Sequence, residues 1–434
     1  MAFATSRTAS RLAWLALLSI AIGAALRFAW PGDIEFKGDE RYVFERTQLA
    51  SAWWPALGMP SSVGVRNPAM SVWVFVGLAR AFHVTTPTGL AMSVMGLNVV
   101  ALALLFVFAT RFVEEADRER WLWALALVAV SPLAVLLERK IWAPSVFPAF
   151  AMVFWAGWWR RDRRGGAFVW GLVGALLGQI QMGGFFFAAG VVVWEALGRG
   201  RNHSAPRPRW DAWLVGSIVG AAPMVPWLGY FLHHPSSQSA WDWRELVTPR
   251  FWLYGLTDSL GLGLHYSLGH SAFLDFASGP RIAGTPTYLV GLAHAVLALA
   301  GMSLVGLALV RAWRARRTWR SAIDTPVPTT RALGATFVAY GALLTLSGLV
   351  IYRHYLLVTY PLEWVLLAGL ALSTGRYGRR VLAVLWASEL AITTAMLLYI
   401  HAHGGAPGDY GVAYRLQPGS ASDAPANSQV APSR

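Results

Sequence analysis

The stretch from Arg11 to Tyr42, RLAWLALLSIAIGAALRFAWPGDIEFKGDERY, decides how the whole chain is read. Its first part, residues 12–30, is an apolar run of about the 20 residues that a helix needs to cross a bilayer. Arg7 and Arg11 precede it, as they would precede a secretory signal. The run outlasts the apolar core of a typical signal, about 7–15 residues, and no small-x-small cleavage pattern stands before Trp30-Pro31. We therefore read it as an uncleaved anchor. Directly after it come Gly38-Asp39-Glu40-Arg41-Tyr42, two adjacent carboxylates following a glycine turn at the edge of the membrane.

The rest of the composition agrees with a membrane chain. Of 434 residues, 56% are hydrophobic and 13% charged, about half the charged share of an average soluble domain. So few charges could not cover a soluble core of this size, which excludes an ordinary globular enzyme, a disordered protein and a coiled coil. The 23 Trp, 21 Phe and 13 Tyr suit aromatic belts at the two interfaces. The net charge of +14 comes from Arg clusters between apolar runs, a topology signal and not a nucleic-acid footprint. With no cysteine in the chain, disulfides and thiolate metal sites are excluded.

The sequence predicts an all-α polytopic membrane protein of about eleven spans, near 12–30, 88–110, 120–137, 144–159, 167–182, 183–198, 211–232, 286–310, 332–351, 355–373 and 381–400. The run 69–82 is shorter, about 21 Å as a helix against about 30 Å of hydrocarbon. If it does not cross, segments 1–11, 111–120, 160–166, 198–210, 311–331 and 374–380 share one side and carry most of the arginines, as the positive-inside rule requires. That reading makes 69–82 a surface-lying helix. The N-terminus is then cytoplasmic, and segments 31–87, 233–285 and 401–434 lie outside. Residues 1–400 form one transmembrane domain that includes outer segments 31–87 and 233–285. The tail 401–434 is rich in Gly, Pro, Ser and Ala, and its last dozen residues read as disordered.

Adjacent residues diverge on a helix, so Asp39 and Glu40 cannot enter one pocket equally. One can face a reacting group while the other is held by Arg41, Arg46 or the backbone. A desolvated carboxylate here would have a raised pKa and could serve as a general base. The residue types alone equally describe a solvated helix start with acids in its first turn.

The pattern resembles the GT-C class of membrane glycosyltransferases, which includes protein O-mannosyltransferases and lipid A aminoarabinose transferases. Those enzymes carry an acidic pair and a tyrosine in a long outer loop after the first span, matched here by Asp39, Glu40 and Tyr42. An (Asn/Lys/His)-Pro-Pro-like element follows, matched by Arg66-Asn67-Pro68, with Ala69 where the second proline would stand and Trp73 in the next helix. Glu138-Arg139-Lys140-Ile141-Trp142-Ala143-Pro144-Ser145 resembles the family's basic outer turn. Arg353-His354-Tyr355 with Tyr360-Pro361 resembles its late Arg-Tyr…Pro element. The likeness covers the first 200 residues and roughly 350–373, and segment 233–285 matches nothing in it.

The resemblance implies a polyprenyl-phosphate sugar as donor and an inverting displacement by an acceptor hydroxyl, on the periplasmic face of a bacterial inner membrane. By motif position Asp39 would be the base and Glu40 would orient the acceptor or a neighbouring Arg. Arg139, Lys140, Arg353 and His354 would hold the donor phosphate, with Tyr42, Asn67 and Gln181 in the substrate pocket. The acceptor, whether lipid, glycan or protein, is not named by these motifs, and no nucleic-acid partner is expected.

Each of these residues also has a plain reading. Arg139 and Lys140 could snorkel to the interface, and Gln179 and Gln181 could satisfy helix backbones. Glu389, mid-span, could be protonated or paired with Thr393. His233, His234, His265 and His270 match no zinc spacing, so no metal or other cofactor is expected, although a divalent cation occurs in some members of the class. Two other functions remain open from residues alone: a flippase or transporter of a lipid-linked saccharide, and a non-catalytic polyprenyl-phosphate-binding protein. Transporters often show inverted repeats and broken midplane helices, and neither is evident by eye.

Overall fold

The computed structural model describes residues 2–49, 54–60, 65–198, 207–234, 241–314, 325–418 and 420. These residues are mostly helical, with three two-stranded antiparallel pairs as the only sheets among them. Five helical stretches are long and apolar enough to cross a membrane: Ser10–Phe28, Pro87–Arg111, Trp210–His233, Leu289–Arg311 and Arg376–His403. A sixth becomes possible if Arg353–Thr359 and Leu362–Leu372, bent by 75° about Tyr360-Pro361, act as one.

The other apolar runs are also helical: 183–198 is met in full by Gly183–Gly198, while some others are shortened or broken. The expected span 120–137 breaks into Glu115–Val130 and Pro132–Leu137. The ring of Pro132 drives Ser131 out of the helical region, to ψ 129°, as a proline does to the residue before it. Met70–Ala81 is a single 12-residue helix, about 18 Å long. It buries Ser71, Val72, Phe75, Val76 and Ala79 on one face, the pattern of a helix lying against the bundle.

The bundle is held by close packing and by a few sealed charges. Gly171 and Gly216 let helices Arg164–Ile180 and Trp210–Ala221 touch: a Cβ on Gly216 would stand 2.1 Å from the Phe168 carbonyl, the small-residue contact usual between helices in membranes. Trp121, Trp155, Trp158, Phe154 and Phe187 fill the adjoining core.

The Arg-rich segments gather at one end. Arg379 makes a two-pronged pair with Glu119 at 2.6 and 2.8 Å. Arg160 lies over the Phe112 ring, and the backbone N–H of Arg209 donates to the Arg161 carbonyl. Arg161 and Arg331 converge on the buried Glu195. This contact set joins 111–120, 160–166, 198–210, 311–331 and 374–380, the segments that the charge pattern assigns to one side.

At the other end the first helix, Ala2–Phe28, finishes beside the turn 138–142. Arg27, fully buried, pairs with Glu138 at 2.6 Å and donates to the carbonyls of Gly23 and Ala129. Asn98 donates to the carbonyls of Glu138 and Ser145, and the Ser145 hydroxyl to that of Leu137. The turn is thereby fixed against two helices.

Part of the C-terminal tail is also ordered. Residues 404–418 fold back over 31–37: Glu35 bridges Ala413, the Tyr414 N–H donates to the Ile34 carbonyl, and the Tyr410 N–H to that of Ser267. The last residues, for which disorder was expected, lie outside the described residues. Glu389 is buried, and Thr393 donates to the Val130 carbonyl at 2.6 Å, not to Glu389.

Removing one member of the sealed pair strands a charge, a loss of about 3–5 kcal/mol. Arg27→Met should lower the thermal midpoint of the detergent-solubilised protein sharply. The double change Arg27→Met with Glu138→Leu should recover most of that loss, which scanning fluorimetry would read.

Candidate functional site

The acidic pair sits where an extended strand turns into a helix. Ile34 is extended, and side chains two apart in such backbone share a face, so Glu35 and Lys37 point the same way. Helix Gly38–Leu49 then begins, with Asp39 and Glu40 in its first turn. Glu40 is buried and accepts the backbone N–H of Lys37 at 3.0 Å. Asp39 is exposed, and its carboxylate makes no ion pair or hydrogen bond among the described residues. The pair thus divides as adjacent helical residues must: one carboxylate held, one free.

Both line a cavity of about 620 Å³ together with Glu35, Lys37, Lys140, Asp258, Arg353, His354 and Asp409. Five separate parts of the chain supply these groups. Lys140 comes from the turn fixed by Glu138 and pairs with the buried Glu35 at 2.6 Å, its ammonium 5.2 Å above the Trp142 ring. Glu35 also pairs with Lys37, so one carboxylate stands between the chain's two lysines. Arg353 pairs with Asp258 and lies between the rings of Tyr254 and Tyr266, 4.5 and 4.2 Å from their centroids. His354 packs edge-on to Trp142. Its loop is held by the Tyr340 hydroxyl, which donates to the Tyr355 carbonyl, and by the bridge of Leu349 to Trp241.

Asp39, Glu40, Lys140, Arg353 and His354, all singled out by the sequence, therefore face one cavity. Arg139 does not. It points behind the turn and donates to the carbonyls of Leu26 and Trp30 at 3.3 and 3.0 Å; neighbours in a tight turn cannot both face the same way. Tyr42 donates to the Gly58 carbonyl and accepts from Arg66, bracing the strand Arg66–Pro68 that contains Asn67. Gln181 accepts the Gly183 N–H. None of these three lines the cavity.

Sequence reasoning missed Glu35, Asp258, Tyr254, Tyr266 and Asp409. The spacing of Tyr254 and Asp258, four residues apart on helix Arg250–Ser259, would have put them on one face, but nothing in the sequence names Arg353 as what that face meets. Among the described residues no group of three or more His, Asp or Glu could hold a metal ion.

Two electrostatic shifts matter here. Burial raises the Glu40 pKa, and the Glu35 charge adds to that, while Lys140 and the N–H bonds pull it down. Burial pulls the Lys37 ammonium down, but Glu35 and Asp409 more than offset it, so its pKa stands above the ordinary value. Lys37 is therefore cationic throughout the neutral range.

No family model matches the chain, and no curated protein does. Solved structures similar to it include the apo oligosaccharyltransferase of Archaeoglobus fulgidus, at TM-score 0.45 and 13% identity over 89% of this chain and 54% of that one. The same archaeal enzyme with an inhibitory peptide and a dolichol-phosphate gives TM-score 0.40 and 13% identity over 90% and 55%. ArnT from Cupriavidus metallidurans in the apo state gives 0.44 and 16% over 88% and 76%. Both proteins are GT-C glycosyltransferases. The chain spans about half the length of the archaeal enzyme.

The Glu40 shift has signed consequences. Glu35→Gln removes a negative neighbour and should lower the Glu40 pKa; Lys140→Met removes a positive one and should raise it. Infrared or carbon-13 titration of the carboxylates would read both directions.

Proposed function

We propose that the chain is a membrane glycosyltransferase that moves a sugar from a polyprenyl-phosphate donor to an acceptor hydroxyl at this cavity. The observation that carries the reading is the meeting, in one cavity, of an unpaired carboxylate and two cations, Lys140 and Arg353. The acceptor oxygen attacks the anomeric carbon as its proton passes to Asp39. The bond from that carbon to the phosphate oxygen breaks, and its electron pair leaves with polyprenyl phosphate. One displacement of this kind inverts the anomeric configuration.

The residues divide the work by their surroundings. Asp39 is the base because it is free to reach a bound hydroxyl. Glu40, anchored to the Lys37 N–H, orients the acceptor. Lys140 and Arg353 stabilise the charge that develops on the leaving phosphate, the usual largest electrostatic contribution in such sites. Each is paired with a carboxylate, Glu35 and Asp258 respectively. A donor phosphate would compete with those carboxylates for the two cations. His354 contributes a further polar group beside Lys140. Arg139 acts through the turn and not on the phosphate.

The sidedness supports an outward-facing site. The cavity lies at the end opposite the gathered arginines, which by the positive-inside rule are cytoplasmic. In a bacterial inner membrane the cavity then opens to the periplasm.

Asp39→Asn keeps the volume but removes the proton acceptor. Turnover on a panel of radiolabelled polyprenyl-phosphate hexoses and pentoses should fall by about 10²–10⁴-fold, with donor binding retained. Glu40→Gln should be milder. An acid limb above the ordinary carboxylate range that moves downward in Glu35→Gln would instead identify Glu40 as the base. Near-wild-type transfer by both variants would refute the catalytic reading of this pair.

Lys140→Met should weaken binding of a short-chain prenyl phosphate by about tenfold or more, since a hydrogen bond to a charged group contributes about 1.5–3 kcal/mol. Arg139→Met should lower stability and leave that binding intact.

A further inference from the structure

The tail that folds back over 31–37 makes more contacts than a loose end needs. Asp33, buried at the end of the first helix's exit turn, receives two donors from the tail and one from the end of helix Arg376–His403. His401 reaches its carboxylate at 2.6 Å, Arg415 pairs with the same group, and the Tyr410 hydroxyl donates to its backbone carbonyl. Gln417 donates to the Phe36 carbonyl at 3.0 Å. The strands Gly405–Ala406 and Gly411–Val412 pair as a hairpin, and residue 409 is at its tip.

That tip enters the cavity. Asp409 lines it, and both its carbonyl and its carboxylate, the latter at 3.3 Å, contact the Lys37 ammonium. The backbone N–H of the same lysine is the one that Glu40 accepts. On its other flank the tip rests on the turn after Leu264–Leu268, next to Tyr266. A Cβ on Gly408 would stand 2.2 Å from the Gly269 nitrogen and 2.4 Å from the Leu268 carbonyl carbon, so only glycine allows this approach.

We propose that the tail hairpin is part of the active site, and that Asp409 is a positioning residue which, through Lys37, fixes the acidic pair against the cavity. The hairpin ties the extended segment that holds Glu35 and Lys37 to the end of helix Leu264–Leu268, which holds Tyr266, two walls of the cavity that no other described hydrogen bond joins directly. Asp409 touches neither reacting group; it acts on Glu40 by fixing the lysine whose N–H Glu40 accepts. The inference rests on the transferase reading for its catalytic consequence and on geometry alone for its structural one, so the two are tested by separate readouts.

The experiment is amide hydrogen exchange on the full chain in nanodiscs, paired with transfer kinetics. The Asp409 side chain is 71% exposed, so its replacement removes a charge without opening a core. Asp409→Asn retains the carbonyl contact and should speed exchange over residues 35–41 about three- to fivefold; Gly408→Val, which displaces the tip, should speed it more. Loss of one ordinary hydrogen bond corresponds to a change of about fivefold. Exchange in helix Pro87–Arg111 should not change. In the transfer assay Asp409→Asn should lower kcat several-fold at unchanged donor KM, and Asp409→Glu should restore it.

Unaltered exchange over 35–41 in both Asp409→Asn and Gly408→Val would overturn the proposal whatever the activity. A KM effect on donor with no change in kcat would also overturn it. Faster exchange in a protein whose wild type transfers none of the donor sugars would support the hairpin's hold on the cavity and refute the transferase reading.

Discussion

A guanidinium and a carboxylate sealed from solvent, Arg27 and Glu138, hold the end of the first helix against the turn that follows Pro132–Leu137. In a low-dielectric interior such a pair tolerates little displacement, because either partner left alone carries a large desolvation penalty. Two parts of the cavity depend on that junction. The strand with Glu35 and Lys37, and then the acidic pair, leave directly from the first helix. Lys140 leaves from the turn, two residues after Glu138. The Glu35–Lys140 contact at 2.6 Å joins the two segments that the buried pair, together with the Arg139 bonds to the Leu26 and Trp30 carbonyls, holds side by side.

Charge in the cavity is arranged in held and free groups. Glu35 lies between two lysines, Asp258 holds Arg353, and Glu40 is bonded to the backbone. Asp39 alone among these carboxylates has no such partner among the described residues. On the proposed reading such a site offers Asp39 as proton acceptor and, in Lys140 and Arg353, two cations whose carboxylate partners an anionic ligand would displace. The aromatic rings of Tyr254 and Tyr266 on either side of Arg353 keep the guanidinium in place when its partner changes, since cation–π attraction does not need Asp258.

Local pattern made much of this legible in the sequence. The apolar lengths gave the helices, the arginine distribution separated the two ends, and the Gly-Asp-Glu turn after the first span marked the acidic pair. Lys140, Arg353 and His354 came forward through the family resemblance, on segments that the charge pattern assigns to the outer side. What the sequence could not supply was pairing at long range. Glu35 is an ordinary acid until the 138–142 turn brings Lys140 to it. Asp258 and the two tyrosines are in a segment with no recognisable motif, and Asp409 is in a tail whose composition suggested a loose end. Helix lengths were overestimated where proline interrupts an apolar run, as at Ser131-Pro132, because hydropathy does not register a missing N–H. Arg139 was misdirected for the opposite reason: adjacency in sequence suggested a shared target, while the turn sends Arg139 and Lys140 to different sides.

The central claim is that Lys140 and Arg353 receive the phosphate of a lipid-linked donor while Asp39 faces its sugar. Density for a short-chain polyprenyl phosphate soaked into the nanodisc-embedded protein tests it most directly. The account predicts the phosphate within hydrogen-bond reach of Lys140 and Arg353, with the Asp258 contact to Arg353 released. A phosphate bound elsewhere on the bundle, with the Glu35–Lys140 and Asp258–Arg353 pairs undisturbed, would contradict it.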